Sequence, residues 1–119
     1  MKKISKEEAV LSSKFWKIIF KLYNLPPKFV GTAIEIASRC DFELRDGFFY
    51  KYVLPVLLEE KIMVLDEAEK DKRGYLGRFA NVYRFDRDRL NEFVVKNHWV
   101  AHKLYIIWIQ EGDVDLNIV

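Results

Sequence analysis

The chain has 119 residues, half of them hydrophobic, 15% aromatic and 32% charged, a balance that suits one folded domain and excludes a disordered chain. Its runs without a charged residue, Leu104 to Gln110 among the longest, fall far short of the roughly 20 apolar residues of a membrane span. The lysines of the amino terminus are followed by acidic and polar residues where a signal peptide would be apolar, so a cytoplasmic protein without a membrane partner is expected.

A formal charge of +2 is too small to announce a nucleic-acid partner, but it is unevenly spread. Residues 1–28 hold seven lysines against Glu7 and Glu8, residues 59–69 are mainly acidic, and residues 70–78 hold four cations against Asp71. One face can therefore be basic while another is neutral or acidic. The lone Cys40 cannot form an internal disulfide and reads as a buried spectator thiol in a reducing compartment.

Between Ser5 and Tyr23, Leu11, Phe15, Ile18 and Leu22 recur at helical spacing, which predicts a first helix. Ser5 and Glu8 have the spacing of a capping box, and Asn24 with Pro26-Pro27 ends the helix because proline has no N–H for the ladder. Pro27 is also suited to opening a second helix, with Val30, Ala33, Ile34 and Ala37 as its apolar stripe. A polar break from Arg39 to Leu44 precedes Asp46-Gly47, the expected start of a third helix running to Glu60. Its inner face would use Phe49, Val53, and Val56 or Leu57. Pro55 removes one hydrogen bond, so that helix either kinks about one turn upstream or begins later.

Ile62 to Leu65 and Arg78 to Phe85 are β-favouring and can pair as a hairpin. The intervening DEAEKDKRGYLG reads as a projecting, hydrophilic, two-stranded loop, with Gly74 and Gly77 supplying the turn torsions. Asp86 is the expected cap of a fourth helix carrying Leu90, Phe93, Val94, Asn97, Ala101, Leu104 and Trp108. Val95, Trp99, Ile106 and Ile109 widen its apolar surface beyond one stripe, so a second subunit is expected to cover part of it, with Phe93, Trp99, Leu104 and Trp108 at the interface. Helix over 87–109 with a tail over 110–119 is preferred to a terminal hairpin of LYIIWI and VDLNIV around Glu111-Gly112, a choice that short apolar runs leave open. No linker or repeat divides residues 1–119.

The segments YVLPVLLEEKIMVL (Tyr52 to Leu65) and YLGRFANVYRFD (Tyr75 to Asp86), within the order helix, helix, helix, strand, charged loop, strand, helix, resemble the winged helix-turn-helix DNA-binding proteins over roughly residues 10–95. The likeness extends to PadR-type regulators and the related winged-helix adaptor of archaeal plasmid partition systems, which pair through terminal helices. Two departures from the PadR pattern stand out: Lys61 replaces the glycine expected after the recognition helix, and the tyrosine-proline pair near that helix's start is not cleanly present, since Tyr50 precedes Lys51. The resemblance implies an α+β, mainly α fold with a β-hairpin wing and a long carboxy-terminal helix. It further implies a homodimer binding double-stranded DNA, as a transcriptional regulator, as a partition adaptor, or as a winged-helix module that holds a protein partner instead.

An α-helix fits the major groove, where base edges present distinguishable patterns. If Phe49, Val53 and Val56 or Leu57 point inward, Arg45, Lys51 and Tyr52 lean outward as groove contacts, with Phe48 beside them and Tyr50 dependent on helix phase. Lys70, Lys72, Arg73 and Arg78 on the loop are expected at a phosphate backbone or minor groove, although the same charges also suit a merely solvated tip. Lys28, read as near the start of helix two, is a further phosphate candidate. Tyr75 either stacks on a sugar or packs across the hairpin. Trp16, Trp99 and Trp108 read as core or dimer residues.

Enzyme chemistry is not expected. His98 and His102 share a helix face, but HWVAH lacks the glutamate of a metalloprotease motif and nothing nearby completes a metal set. Asp86 with Asp88 and Glu59 with Glu60 read as caps and solvated turns, and no phosphate-cradling glycine run or nucleophile elbow is present. Neither metal nor cofactor is implied.

Overall fold

Phe15, Trp16, Ile18, Ile19 and Phe20 are buried along α1 (Ser13–Lys21), which continues as a 3₁₀ turn over Leu22–Asn24. The computed structural model describes residues 13–77 and 80–97. The first helix ends as its prolines dictate: Leu25, immediately before Pro26, is extended, with φ −80° and ψ 143°, because the following ring disfavours helical torsions there.

The second helix begins later than Pro27. Phe29 N–H bonds Pro26 O at 3.1 Å to close a turn, and the chain then forms strand β1 (Val30–Thr32) before α2 (Ala33–Cys40). The true start is a capping box, in which Glu35 N–H donates to Thr32 Oγ1 at 3.2 Å and Thr32 N–H donates to Glu35 Oε1 at 3.1 Å. Two otherwise orphaned helix donors are thereby satisfied at once.

The third helix opens where Asp46-Gly47 placed it. Asp46 accepts from Phe48 N–H at 3.0 Å, and Gly47 takes φ +76°, a torsion glycine adopts without a Cβ clash. A π-helical turn over Phe49–Val53 then runs into α3 (Leu54–Glu59). Pro55 has no N–H for the carbonyl four residues back, and the widened turn lies just upstream, so the helix absorbs the proline with a π-turn rather than starting late. Phe49, Val53, Val56 and Leu57 are all buried.

The helix closes in a Schellman motif: Ile62 N–H bonds Leu57 O at 2.9 Å and Lys61 N–H bonds Leu58 O at 3.2 Å. Lys61 itself occupies the left-handed position of that motif, at φ +59°.

Strands β2 (Met63–Leu65) and β3 (Val82–Phe85) pair antiparallel as expected, and β1 pairs with the other side of β3, giving the order β1-β3-β2. Met63, Tyr83 and Phe85 are buried, while Val64 and Arg84, paired with each other, are exposed.

Between β2 and β3 the projecting two-stranded loop is replaced by a helix, α4 (Glu67–Arg73). Asp66 caps it by accepting from Glu69 N–H at 3.0 Å, and Gly74 ends it at φ +71°. Acidic Glu67 and Glu69 in its first turn and basic Lys70, Lys72 and Arg73 in its last complement the helix dipole. The expected strand from Arg78 is correspondingly shorter, starting at Val82.

Helix α5 (Arg87–Lys96) is capped by Asp86, whose carboxylate accepts from Asp88 and Arg89 N–H. Phe93 stacks on Trp16 at 5.5 Å and meets Phe15 edge-on at 6.4 Å. Phe93 is thus a core residue joining α5 to α1, not a dimer contact. Arg87 reinforces the junction by donating to Tyr23 O and Leu25 O, and Tyr23 Oη donates to Asn91 at 2.7 Å. The described chain is α+β and mainly helical, with one small antiparallel sheet. None of its helices is long and apolar enough to cross a membrane. Ser5, Arg78, His98, Trp99, His102, Leu104, Trp108, the remainder of 98–109 and the 110–119 segment lie outside the described residues.

Candidate nucleic-acid interface

The side of the third helix opposite Phe49, Val53 and Leu57 is open. Lys51, Pro55 and Glu59 are exposed, and Phe48 and Tyr52 are half-buried, so the helix is not enclosed. Phe48 and Tyr52, one turn apart, pack at 5.2 Å, and Lys51 Nζ sits 5.3 Å from the Tyr52 ring centroid. Arg45 is exposed at the helix entrance. The structure therefore brings Arg45, Lys51 and Tyr52 onto one accessible stretch of helix and preceding turn, with Tyr52 packed on Phe48. Tyr50 faces the interior side, edge-on to Phe49 at 5.9 Å, and burial pushes its hydroxyl pKa up.

A residue that the apolar pattern did not single out organises this entrance. Lys14 of α1 forms an ion pair with Asp46 and lies 4.8 Å over the Phe48 ring. The Lys14 hydrogen bond, followed by that from Phe48 N–H, holds the Asp46 carboxyl below its ordinary pKa. Asp46 thus fixes two things at once, the first turn of the helix and its approach to α1.

The cations of α4 are disposed differently. Lys70 Nζ donates to Gly77 O at 2.9 Å and Asn81 Oδ1 at 2.6 Å, closing the segment on itself. Arg73 bonds Glu69 at 3.0 Å and Glu35 of α2 at 2.9 Å. The backbone hydrogen bond from Thr32, more than Arg73, keeps the Glu35 pKa lowered. Tyr75 lies beside Arg73, whose Cζ is 5.8 Å from its ring centroid, rather than across a hairpin. Lys72 is exposed, and its side chain makes no hydrogen bond or ion pair among the described residues. Leu76, at 90% exposure, is an apolar tip that the charge pattern had hidden.

Lys28 is not at a helix amino terminus. It lies in the turn before β1, and the antiparallel register puts the start of β1 with the end of β3 at one end of the sheet, while α4 joins the strands at the other. Strand β1 separates Lys28 from α2, so the helix-dipole argument for this lysine fails. Among the described residues there is no cluster of three or more metal-ligating side chains, and Cys40 is buried, with desolvation pushing its thiol pKa up to about 12. Comparisons with protein families, curated proteins and solved structures return no match to this chain.

Proposed function

We propose that the protein is a transcriptional regulator that binds duplex DNA as a homodimer through a winged helix-turn-helix. In this reading α2 and the helix from Phe48 to Glu59 form the helix-turn-helix, and the α4-bearing connection between β2 and β3 is the wing. The observation that carries it is the open helix face of Arg45, Lys51 and Tyr52, exposed or half-exposed while the opposite face is buried. Such a face can enter a major groove and read base edges. The order of helices and strands and the sheet order β1-β3-β2 support the same reading, since β2, α4 and β3 follow the third helix directly.

Arg45 and Lys51 contact bases or flanking phosphates, and Tyr52 packs on the groove wall. From the connection, Lys72 and Arg78 reach the backbone; Lys70 and Arg73 hold α4 in place. Pairing through Trp99, Leu104 and Trp108 would set two reading helices about 34–36 Å apart on one face of a palindromic site.

The test is selection of bound sequences from random duplexes, with affinity for the selected site followed over a salt series and mass followed by light scattering. A palindromic site, a dimer at micromolar concentration and a steep fall in affinity with salt are expected. Salt-insensitive binding to duplex, or none, would overturn the reading.

A further inference from the structure

At the sheet end away from α4, Lys28, Lys61, Val64, Arg84, Phe85 and Asp86 line a cleft of about 180 Å³. The DNA reading makes no use of it: the cleft adjoins the carboxyl end of α3, whereas the groove-facing residues lie at the opposite end of that helix.

Three cations face one carboxylate here, and little inside the protein neutralises them. Lys28 and Lys61 are exposed, and their side-chain ammonium groups make no hydrogen bond or ion pair among the described residues. Arg84 pairs with Asp66 through Nε at 3.2 Å, and its guanidinium makes no other hydrogen bond or ion pair among the described residues. Asp86 is already committed, accepting from Asp88 N–H at 3.0 Å and Arg89 N–H at 3.3 Å as the cap of α5. A ligand in the cleft therefore meets donors and positive charge, with exposed Val64 as an apolar wall.

Lys61 adds an independent sign. It stands at φ +59° in the Schellman position, where glycine is free of strain and a side chain is not. A residue held in a costly torsion at a cleft wall points to work for its side chain.

We propose that this cleft binds a small phosphorylated compound. A phosphate monoester carries about −1.5 to −2 charge near neutrality and three acceptor oxygens, which suits two point-charge ammonium groups and a guanidinium able to donate two parallel bonds. The short carbon portion lies against Val64. The site stands independently of the DNA reading.

The test titrates the full-length protein with glycerol 3-phosphate, inorganic phosphate and succinate at matched ionic strength, following heat and the amide resonances of residues 61–64 and 84–86. Saturable binding of the phosphate compounds, tighter than that of succinate, is expected. Lys61→Gly and Arg84→Gln should each weaken it at least tenfold. Lys61→Gly relieves the backbone, so its melting temperature should not fall, and lost binding in that variant cannot be ascribed to unfolding. Its affinity for duplex should stay unchanged, which would separate this site from the DNA face. A protein that bound no DNA yet bound glycerol 3-phosphate in this way would retain the site while losing the DNA assignment. Non-saturable binding, equal affinity for succinate, full retention of phosphate binding in Lys61→Gly, or an equal loss of duplex and phosphate binding in that variant would each overturn the proposal.

Discussion

The entrance and first turns of the third helix and the helix α4 both carry cations, yet they spend them in opposite ways. Around the helix entrance, Lys14 is paired with Asp46, while Arg45 and Lys51 remain directed to the surface. In α4, Lys70 and Arg73 are satisfied by Gly77, Asn81, Glu69 and Glu35, and Lys72 is left exposed. With three cations in each region, the entrance keeps two available to a partner and α4 keeps one. Whether a charge serves binding or architecture is decided by what lies within hydrogen-bond reach, and that depends on chain segments distant in sequence.

The largest test of this contrast reverses the open charges. The double variant Arg45→Glu/Lys51→Glu should bind a selected duplex about 100-fold more weakly, since losing a specific contact costs roughly 1–3 kcal/mol and each 1.4 kcal/mol is tenfold. Its melting temperature should be close to the parent's, because neither side chain is part of the core. Fluorescence anisotropy with a thermal melt measures both. A loss under threefold would place the binding surface elsewhere.

A smaller effect is expected from Thr32→Ala, which removes the side-chain half of the α2 capping box. Such a cap is worth about 1 kcal/mol, measured by denaturant unfolding. Glu35 also loses a hydrogen bond that orients its carboxylate towards Arg73, so amide exchange should quicken in α4 as well as at the start of α2. Exchange confined to α2 would show that the Arg73 bridge does not tie the two helices.

The start of α2 also marks what the sequence disclosed and what it hid. Thr32-Ala33-Ile34-Glu35 carries the capping signature in plain sight, but Pro27 is an equally good helix opener. The choice went to β1, because Val30 to Thr32 pair with Val82 to Arg84, far along the chain. In α4 the signals were wholly local: Asp66 as cap, acids first, bases last, then Gly74. The hairpin resemblance outweighed them, although a helix fits inside the same strand-to-strand connection. Phe49, Val53 and Leu57 were legible because helical periodicity alone dictates which side is buried. The partners of Lys70 and Arg73, and the role of Lys14, were not, because Asn81, Glu35 and Asp46 reach them only through tertiary structure.

Between Lys72 and Arg73 the contrast narrows to neighbouring residues. Lys72→Gln should weaken duplex binding a few-fold and flatten the dependence of log affinity on log salt by about 0.9, the signature of one lost phosphate contact. Arg73→Met should instead lower the melting temperature by a few degrees through its two lost carboxylate partners. Its salt slope should stay at the parent value, because its guanidinium is already engaged. An identical slope change in both would mean that Arg73 leaves Glu35 and Glu69 to meet DNA.

The smallest expected effect is a pH dependence at the helix entrance. Asp46 has a folded-state pKa below its ordinary value because Lys14 and Phe48 N–H stabilise the carboxylate. A depressed carboxyl pKa contributes stability that is fully present above the unfolded-state value and disappears as pH falls through the folded-state value. Acidification through the carboxylate range should therefore loosen the contact between α1 and the first turn of the third helix. Both partners are about half exposed, with 55% and 46% of their side chains accessible, so solvent screening keeps the contribution small. Lys14→Met should shift the Asp46 titration back towards the ordinary value, as followed by carboxyl NMR, while the Phe48 N–H bond retains part of the depression. An Asp46 titration unmoved by that substitution would mean that the backbone cap alone stabilises the carboxylate, and that Lys14 does not couple α1 to the entrance of the third helix.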